Sequence, residues 1–97
     1  LSIMFKKVFS TIPEEKSYAQ NGDNFLLSML GLYGGCKYMK EIKPAAYRLH
    51  TNSVWSSKPP EKQREMLKNS FKWIGDFHAR ENRYGVANFY WRRCEQI

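Results

Sequence analysis

The side chains best suited to chemistry are two histidines, and neither lies in a recognisable catalytic motif. His50 is followed by the small polar residues Thr51, Asn52 and Ser53. His78 falls on the apolar side of a helical pattern, where a histidine usually has a structural role. A Ser–His or Cys–His pair is assembled in space rather than along the chain, so such a pair stays open, but no local pattern indicates one. We therefore predict that the protein is not an enzyme.

The two cysteines do not complete a metal site with these histidines. Cys36 and Cys94 are far apart, whereas zinc fingers use short Cys–Cys and His–His spacings. Gly34-Gly35 lacks the Gly-Lys-Ser/Thr that follows in a phosphate-binding loop, so these glycines indicate the end of a helix. The sequence therefore predicts no metal and no cofactor.

Aromatic and basic residues are interleaved in the last third of the chain, and this combination binds macromolecules. Bases stack on aromatic rings and phosphates pair with Lys and Arg, while Trp, Tyr and Arg also dominate contacts between proteins. The residues that we predict to bind a partner are Trp91, Arg92, Arg93, Tyr84, Arg83, Trp55, Lys37, Lys40 and Lys43.

Trp91 is the strongest of these candidates because of its position in the C-terminal helical pattern. Val86, Phe89 and Tyr90 share one apolar face, and Trp91 lies away from it, so we expect its ring to be exposed. Arg93 lies on the apolar face, where an unpaired buried guanidinium is costly. Arg93 therefore extends past the rings, pairs with an internal acid, or marks this face as an intermolecular interface.

The net charge restricts the class of partner. Sixteen Lys and Arg against nine Asp and Glu give a formal charge of +7 and a pI near 9.6. Such a surface attracts nucleic acid, an anionic membrane or an acidic protein face. The basic residues are spread along the chain, which does not favour a nucleic-acid-binding tail.

Length and composition indicate one folded domain over residues 1–97. The chain has 97 residues, 42% of them hydrophobic and 26% charged, values that argue against disorder. The sequence leaves open whether residues 1–3 belong to the native protein, and it leaves the oligomeric state open. Two cysteines without a regular framework indicate a reducing compartment, so we expect the cytoplasm, and a single disulfide between Cys36 and Cys94 is the alternative that the sequence leaves open. No apolar run approaches the length of a membrane span, and association of residues 1–9 with a membrane surface is a lesser alternative.

Hydrophobic periodicity predicts helices in the first half of the chain. Residues 1–9 carry apolar side chains at helical spacing, although the segment is too short to exclude a strand. Thr11 and Glu14 match a capping box, and Asp23 is a candidate N-cap for an apolar helix over residues 24–33. A helix that is apolar on all sides is usually central to the core.

The strongest predicted element runs from Pro60 to about Arg83. Proline fits the first turn of a helix, and apolar residues from Met66 to Phe77 fall on one side of this helix, opposite its charged residues. Gly85 is the expected break before a C-terminal helix, unless the long helix continues through it.

We therefore expect an all-α, single-domain bundle of four to five helices with one long helix near 60–83. The small size, the lack of a catalytic motif and the Trp, Tyr and Arg content predict a non-enzymatic, basic interaction protein that docks on and modulates or inhibits a larger protein. The expected partner is a nucleic-acid-processing enzyme, in the manner of a phage or mobile-element accessory protein. The alternative is a protein that binds nucleic acid directly with weak sequence specificity.

Overall fold

The computed structural model describes residues 3–43, 55 and 57–97, and the regular structure in these residues is helical. In chain order it comprises a 3-10 helix at Glu14–Ser17, α1 at Gly22–Leu30, a second 3-10 helix at Gly31–Tyr33, α2 at Pro60–Arg80 and α3 at Tyr84–Glu95. The predicted all-α class and long helix are confirmed. The described residues contain three α-helices, so the count of four or five stays a prediction. None of these helices is both long enough and apolar enough to cross a membrane.

The long helix α2 begins where the sequence predicts it. Pro60 occupies the first helical turn, where a missing N–H costs no hydrogen bond, and Glu61 beside it has the sign that the helix dipole favours. The buried side chains of α2 recur every three or four residues, at Met66, Ser70, Ile74, Phe77 and His78. This spacing forms the buried face expected of a helix that packs on the core.

The turn between α2 and α3 is set by Asn82, which adopts the left-handed conformation with φ 64°. The backbone N–H of Arg83 donates to the carbonyl of His78 at 2.8 Å, and the N–H of Asn82 donates to the carbonyl of Ala79 at 3.0 Å. These two bonds form a Schellman motif, which satisfies the last carbonyls of a helix. The helix therefore ends before Asn82 rather than near Arg83. The predicted break at Gly85 is wrong, because Gly85 lies inside α3.

The core lies where α1 and α2 meet, and α3 packs back along α2. Its buried cluster comprises Phe25, Met29, Ile74 and Phe77. The rings of Phe25 and Phe77 join the two helices with centroids 5.4 Å apart. Leu27, on the other side of α1, is 41% exposed, so this apolar helix is not covered on all sides.

The segment before α1 differs from the sequence prediction. Residues 3–9 form neither a helix nor a strand, so the predicted helix is wrong. Pro13, not Thr11, precedes the first 3-10 helix, and no side chain caps it. Asp23 lies inside the first turn of α1, and Asn21 holds the N-cap position. Residues 3–9 are too few to form a helix from local propensity alone.

An ion pair fixes the first 3-10 helix to the end of α2. Arg80 donates from Nε and Nη2 to the two carboxylate oxygens of Glu15, at 2.6 and 2.9 Å. This bidentate bond lowers the pKa of Glu15 below its ordinary value. Ten residues earlier on α2, the Asn21 N–H donates to the Ser70 hydroxyl at 2.8 Å. The approach to α1 is thereby held along α2 at two places.

Gly34 ends the second 3-10 helix, with φ 143°, as the sequence predicts for a glycine that stops a helix. The residues that follow, from Gly34 to Lys43, are all exposed. They contain one turn, in which the Ile42 N–H donates to the Met39 carbonyl at 3.2 Å.

Candidate functional site

An open apolar groove with a volume of about 390 Å³ lies between α1 and α3. Its lining comprises Leu27, Ser28, Gly31 and Leu32 on the α1 side, and Gly85, Val86, Phe89 and Tyr90 on α3. The groove exists because α1 and α3 both pack on α2 but leave a gap between themselves. The sides of these two helices that face the gap are apolar and have no covering element among the described residues.

The walls of the groove expose large apolar side chains. Phe89 is 57% exposed, and Leu27 and Leu32 are each 41% exposed. Contiguous apolar surface on a small protein marks an interaction site more often than isolated exposed residues do. Burying one such side chain completely stabilises a complex by roughly 1.5–3 kcal/mol.

A chain of buried and half-buried hydrogen bonds lies beneath the groove. The Arg83 guanidinium donates from Nε to His78 Nδ1 at 3.0 Å, so this ring nitrogen is an acceptor. In the neutral ring the proton therefore lies on Nε2, which contacts the Ser28 hydroxyl at 3.1 Å. The Ser28 hydroxyl donates in turn to the Phe25 carbonyl at 2.7 Å. The chain joins the start of α3, the end of α2 and the middle of α1.

This chain of bonds decides what the Ser28–His78 pair can do. Burial, together with the neighbouring positive charge of Arg83, lowers the pKa of His78 to about 4, so the ring is neutral near pH 7. A general base would present a lone pair to the hydroxyl, but Nε2 presents its proton. The pair left open by the sequence therefore exists without the arrangement of a nucleophile and its base. His78 is fully buried and hydrogen-bonded at both nitrogens, which confirms its predicted structural role.

Positive charge flanks one end of the groove. Arg93 is exposed, and its guanidinium lies 5.9 Å from the centre of the Phe71 ring. Of the three alternatives that the sequence left for Arg93, the structure therefore shows extension past the rings. Burial raises the pKa of the groove residue Tyr90, and the charge of Arg93 partly opposes this shift. Among the described residues, neither Arg92 nor Arg93 forms an ion pair. The groove therefore has an unneutralised cationic flank.

Trp91 packs between the helices, so the prediction that its ring projects away from the core is wrong. The half-buried indole lies against Gly75 of α2, where a Cβ atom would overlap it. Its Nε1 donates to Asp76 Oδ1 at 3.2 Å, and Lys72 binds the other carboxylate oxygen at 2.8 Å. Because Gly75 has no side chain, the contact face of α3 is rotated towards Trp91. Whether Trp91 also binds a partner stays a prediction.

The remaining predicted residues near α3 and α2 differ in exposure. Tyr84 is 58% exposed and presents most of its ring. Arg83 is half-buried and directs its guanidinium to His78. Trp55 is half-buried, and its carbonyl accepts a hydrogen bond from Gln63 Nε2 at 3.0 Å. Of the three, Tyr84 has the most surface to offer a partner.

Lys37, Lys40 and Lys43 lie on the exposed segment after the second 3-10 helix, apart in sequence from the arginines of α3. All three are exposed, and none forms an ion pair within the described part of the chain. Tyr38, beside Lys37, is 80% exposed. Apart from Trp55, the predicted residues thus fall into two groups, one on or directly before α3 and one on this segment.

The groove residues Leu27, Leu32 and Phe89 were not predicted as a site. The available signal was the run of apolar residues around every side of α1, because a chain with few helices cannot cover all sides of such a helix.

No group of three or more His, Cys, Asp or Glu residues suited to a metal occurs in the described ranges. Cys36 and Cys94 are free thiols, and His50 lies outside the described residues.

The chain matches no protein-family model, no curated protein and no solved structure.

Proposed function

We propose that the protein is a non-enzymatic interaction protein that docks on a larger protein through the α1–α3 groove and modulates or inhibits it. The observation that carries this proposal is the exposure of Phe89, 57% of whose surface is accessible above an apolar groove. Solvated apolar side chains around a concave surface gain most by burial against another protein. Phe89 is the anchor in this proposal, and Leu27 and Leu32 form the opposite wall.

The charge balance supports a partner with an acidic surface. The ion pairs of Arg80, Lys72 and Lys62 use four of the acidic residues, Glu15, Glu81, Asp76 and Glu65. Lys and Arg residues elsewhere on the described surface, Arg92 and Arg93 among them, have no such partner. Unpaired cations accelerate association with an acidic surface and weaken that association as salt is added.

A nucleic-acid-processing enzyme is our proposed partner, with the protein acting as an accessory factor of phage or mobile-element type in the cytoplasm. An excess of cations is compatible with contact to an acidic face of such an enzyme or to the nucleic acid that it holds. The free thiols of Cys36 and Cys94 are compatible with a reducing compartment.

Direct nucleic-acid binding is the second candidate, and one observation favours it. The exposed segment from Gly34 to Lys43 combines three unpaired lysines with Tyr38, whose ring is 80% exposed. Cations bind phosphates and an exposed ring stacks on a base. Binding through so few contacts would be weak and would fall steeply with salt.

Affinity capture from an extract of the native host tests the proposal. The bait is the intact protein, and each capture is repeated after nuclease treatment. Phe89→Ala should reduce capture of the specific partner roughly thirtyfold, which corresponds to about 2 kcal/mol. Ile12→Ala is the matched control, because Ile12 is 58% exposed but does not line the groove. Trp91 is unsuited to this comparison, since its replacement disturbs the packing of α2 on α3.

The outcomes separate the two candidates. A partner that survives nuclease, is lost with Phe89→Ala and is retained with Ile12→Ala supports docking through the groove. Capture that disappears with nuclease in every bait indicates direct nucleic-acid binding. Equal capture by the two variants would contradict the role of the groove.

A further inference from the structure

We infer that the α1–α3 groove receives a single amphipathic helix of the partner, with acidic residues on that helix placed against Arg92 and Arg93. This inference rests on the proposed function and adds the shape and charge of the segment that binds. Three features of the groove support it: its helical walls, its glycines and its cationic flank.

The walls favour a helix over an extended segment. Both sides of the groove are helical, and the described residues contain no strand whose edge could pair with an extended peptide. An apolar groove between two helices suits a third helix that inserts apolar side chains at positions i, i+3 or i+4, and i+7. Phe89, Val86 and Leu27 would contact these side chains.

The two glycines on the lining allow a close approach. Gly31 has φ −60° and ψ −20°, and Gly85 lies in the first turn of α3, so neither backbone conformation requires glycine. A Cβ atom built at either position meets no other atom within 4 Å. The chain itself therefore does not exclude a side chain there. Glycine instead leaves room on both walls for the backbone of an incoming helix.

The charges specify an acidic occupant. None of the lining residues is acidic, and Arg93 lies close enough to Tyr90 to affect its pKa. Arg92 precedes it and is exposed without an ion pair among the described residues. A Glu or Asp on the incoming helix would neutralise charges that the chain leaves unpaired.

The same charges disfavour two other occupants. A second copy docked through the same face would bring its own arginines together, on a protein with a net charge of +7. The exposed segment of this chain from Lys37 to Lys43 carries three lysines and one glutamate, so it would also add positive charge beside Arg93. The groove is therefore better matched to a partner than to the protein itself.

Selection from a random peptide library, displayed on messenger RNA and long enough for several helical turns, tests this inference on the intact protein. We expect enriched peptides with apolar residues at helical spacing and a surplus of Glu and Asp. Gly85→Leu, which fills the groove, should weaken their binding about tenfold or more, whereas Gly35→Leu is the matched control and should not. Gly35 is exposed, lies outside the groove and also has open space at its Cβ position. Circular dichroism checks that both variants fold, and Phe89→Ala replaces Gly85→Leu if the latter does not.

Charge reversal tests the acidic component separately. Arg93→Glu should weaken a selected peptide, and exchange of its Glu residues for Lys should restore binding to this variant. Enriched peptides without acidic residues or helical spacing, equal binding to Gly85→Leu and Gly35→Leu, or no enrichment at all would overturn the inference. A concentration-dependent dimer lost in Gly85→Leu would identify a second copy as the occupant and would also overturn it. If host capture depends on Phe89 while no acidic helix is selected, the inference fails and the proposed function stands. If acidic helices bind while host capture ignores Phe89, the proposed function fails instead.

Discussion

Replacing Gly75 by alanine is expected to destabilise the protein, although the same change stabilises most helices. Gly75 is buried in the middle of α2, and the Trp91 indole occupies the space where a Cβ atom would lie. The atoms that it would meet are Cδ1, Nε1 and Cε2 of the ring, so the ring has to move away from α2. Movement of the ring also disrupts the Nε1 hydrogen bond to Asp76, which measures 3.2 Å.

The expected size of the effect follows from three contributions. Overpacking of this kind costs about 2 kcal/mol. Loss of the indole hydrogen bond costs about 1 kcal/mol more, because the carboxylate is partly solvated. Alanine in place of glycine inside a helix restores about 1 kcal/mol. We therefore expect a net loss of about 2 kcal/mol, which lowers the melting temperature of a domain of this size by roughly 8–16 °C.

Urea and thermal denaturation followed by circular dichroism measure this loss. Gly85→Ala is the matched control, because the same methyl group meets nothing within 4 Å there, and it should leave stability unchanged or raise it by up to about 1 kcal/mol. In a Trp91→Ala background, Gly75→Ala should become stabilising, since the ring that it meets is gone. If Gly75→Ala is as stable as the wild-type protein, the packing of Trp91 on α2 is wrong.

Three further predictions concern the buried polar chain and the core. The pKa of His78 is about 4 in the folded protein and about 6.5 in the unfolded chain, so the unfolded chain binds a proton first as the pH falls. The free energy of unfolding should therefore fall by about 2 kcal/mol between pH 7 and pH 5. An unchanged urea midpoint would contradict this. Arg83→Met should lower the free energy of unfolding by about 1–3 kcal/mol at pH 7, because it leaves a buried nitrogen of His78 without its donor. The loss of the positive charge also raises the pKa of His78, so stability should depend less steeply on pH. An unaltered denaturation curve at pH 7 would argue against the Arg83–His78 bond. Ile74→Ala and Phe77→Ala should each lower the free energy of unfolding by roughly 2–5 kcal/mol, and Phe71→Ala, at a half-buried position, should lie at the lower end of this range. Losses under about half a kilocalorie per mole in chemical denaturation would refute the core assignment.

The sequence was sufficient for the long helix and its buried face. Pro60 and the three-to-four-residue spacing of apolar side chains both act locally, and these local preferences agree with the tertiary packing. The end of α2 was misplaced because asparagine adopts the left-handed conformation less often than glycine, so Gly85 was the more obvious candidate than Asn82. Residues 3–9 were predicted as a helix from the spacing of their apolar residues, but the segment is too short to outweigh the cost of starting a helix.

The site was less predictable because it depends on how the helices are rotated. A helical projection of α3 placed Trp91 outside the apolar face, but it contains no information about the space that Gly75 leaves on α2. Once the indole fills that space, Phe89 turns towards solvent instead. The apolar surface of α3 could be anticipated from its composition, whereas the side of it that stays uncovered could not.

The groove depends on a long-range contact, and this limits how long it persists. α2 and α3 are adjacent in the chain and joined by the Asn82 turn, whereas α1 is held to them by contacts such as that between Ser28 and His78, fifty positions apart. Local opening of a protein usually detaches the element with the least support, and a transient release of α1 would remove one wall of the groove while the α2–α3 pair stays folded. A partner that contacts both walls would therefore bind only those molecules in which α1 is packed on α2. Amide hydrogen exchange in α1 should therefore slow when the partner binds, and the free energy of detaching α1 sets an upper limit on the fraction of molecules ready to bind.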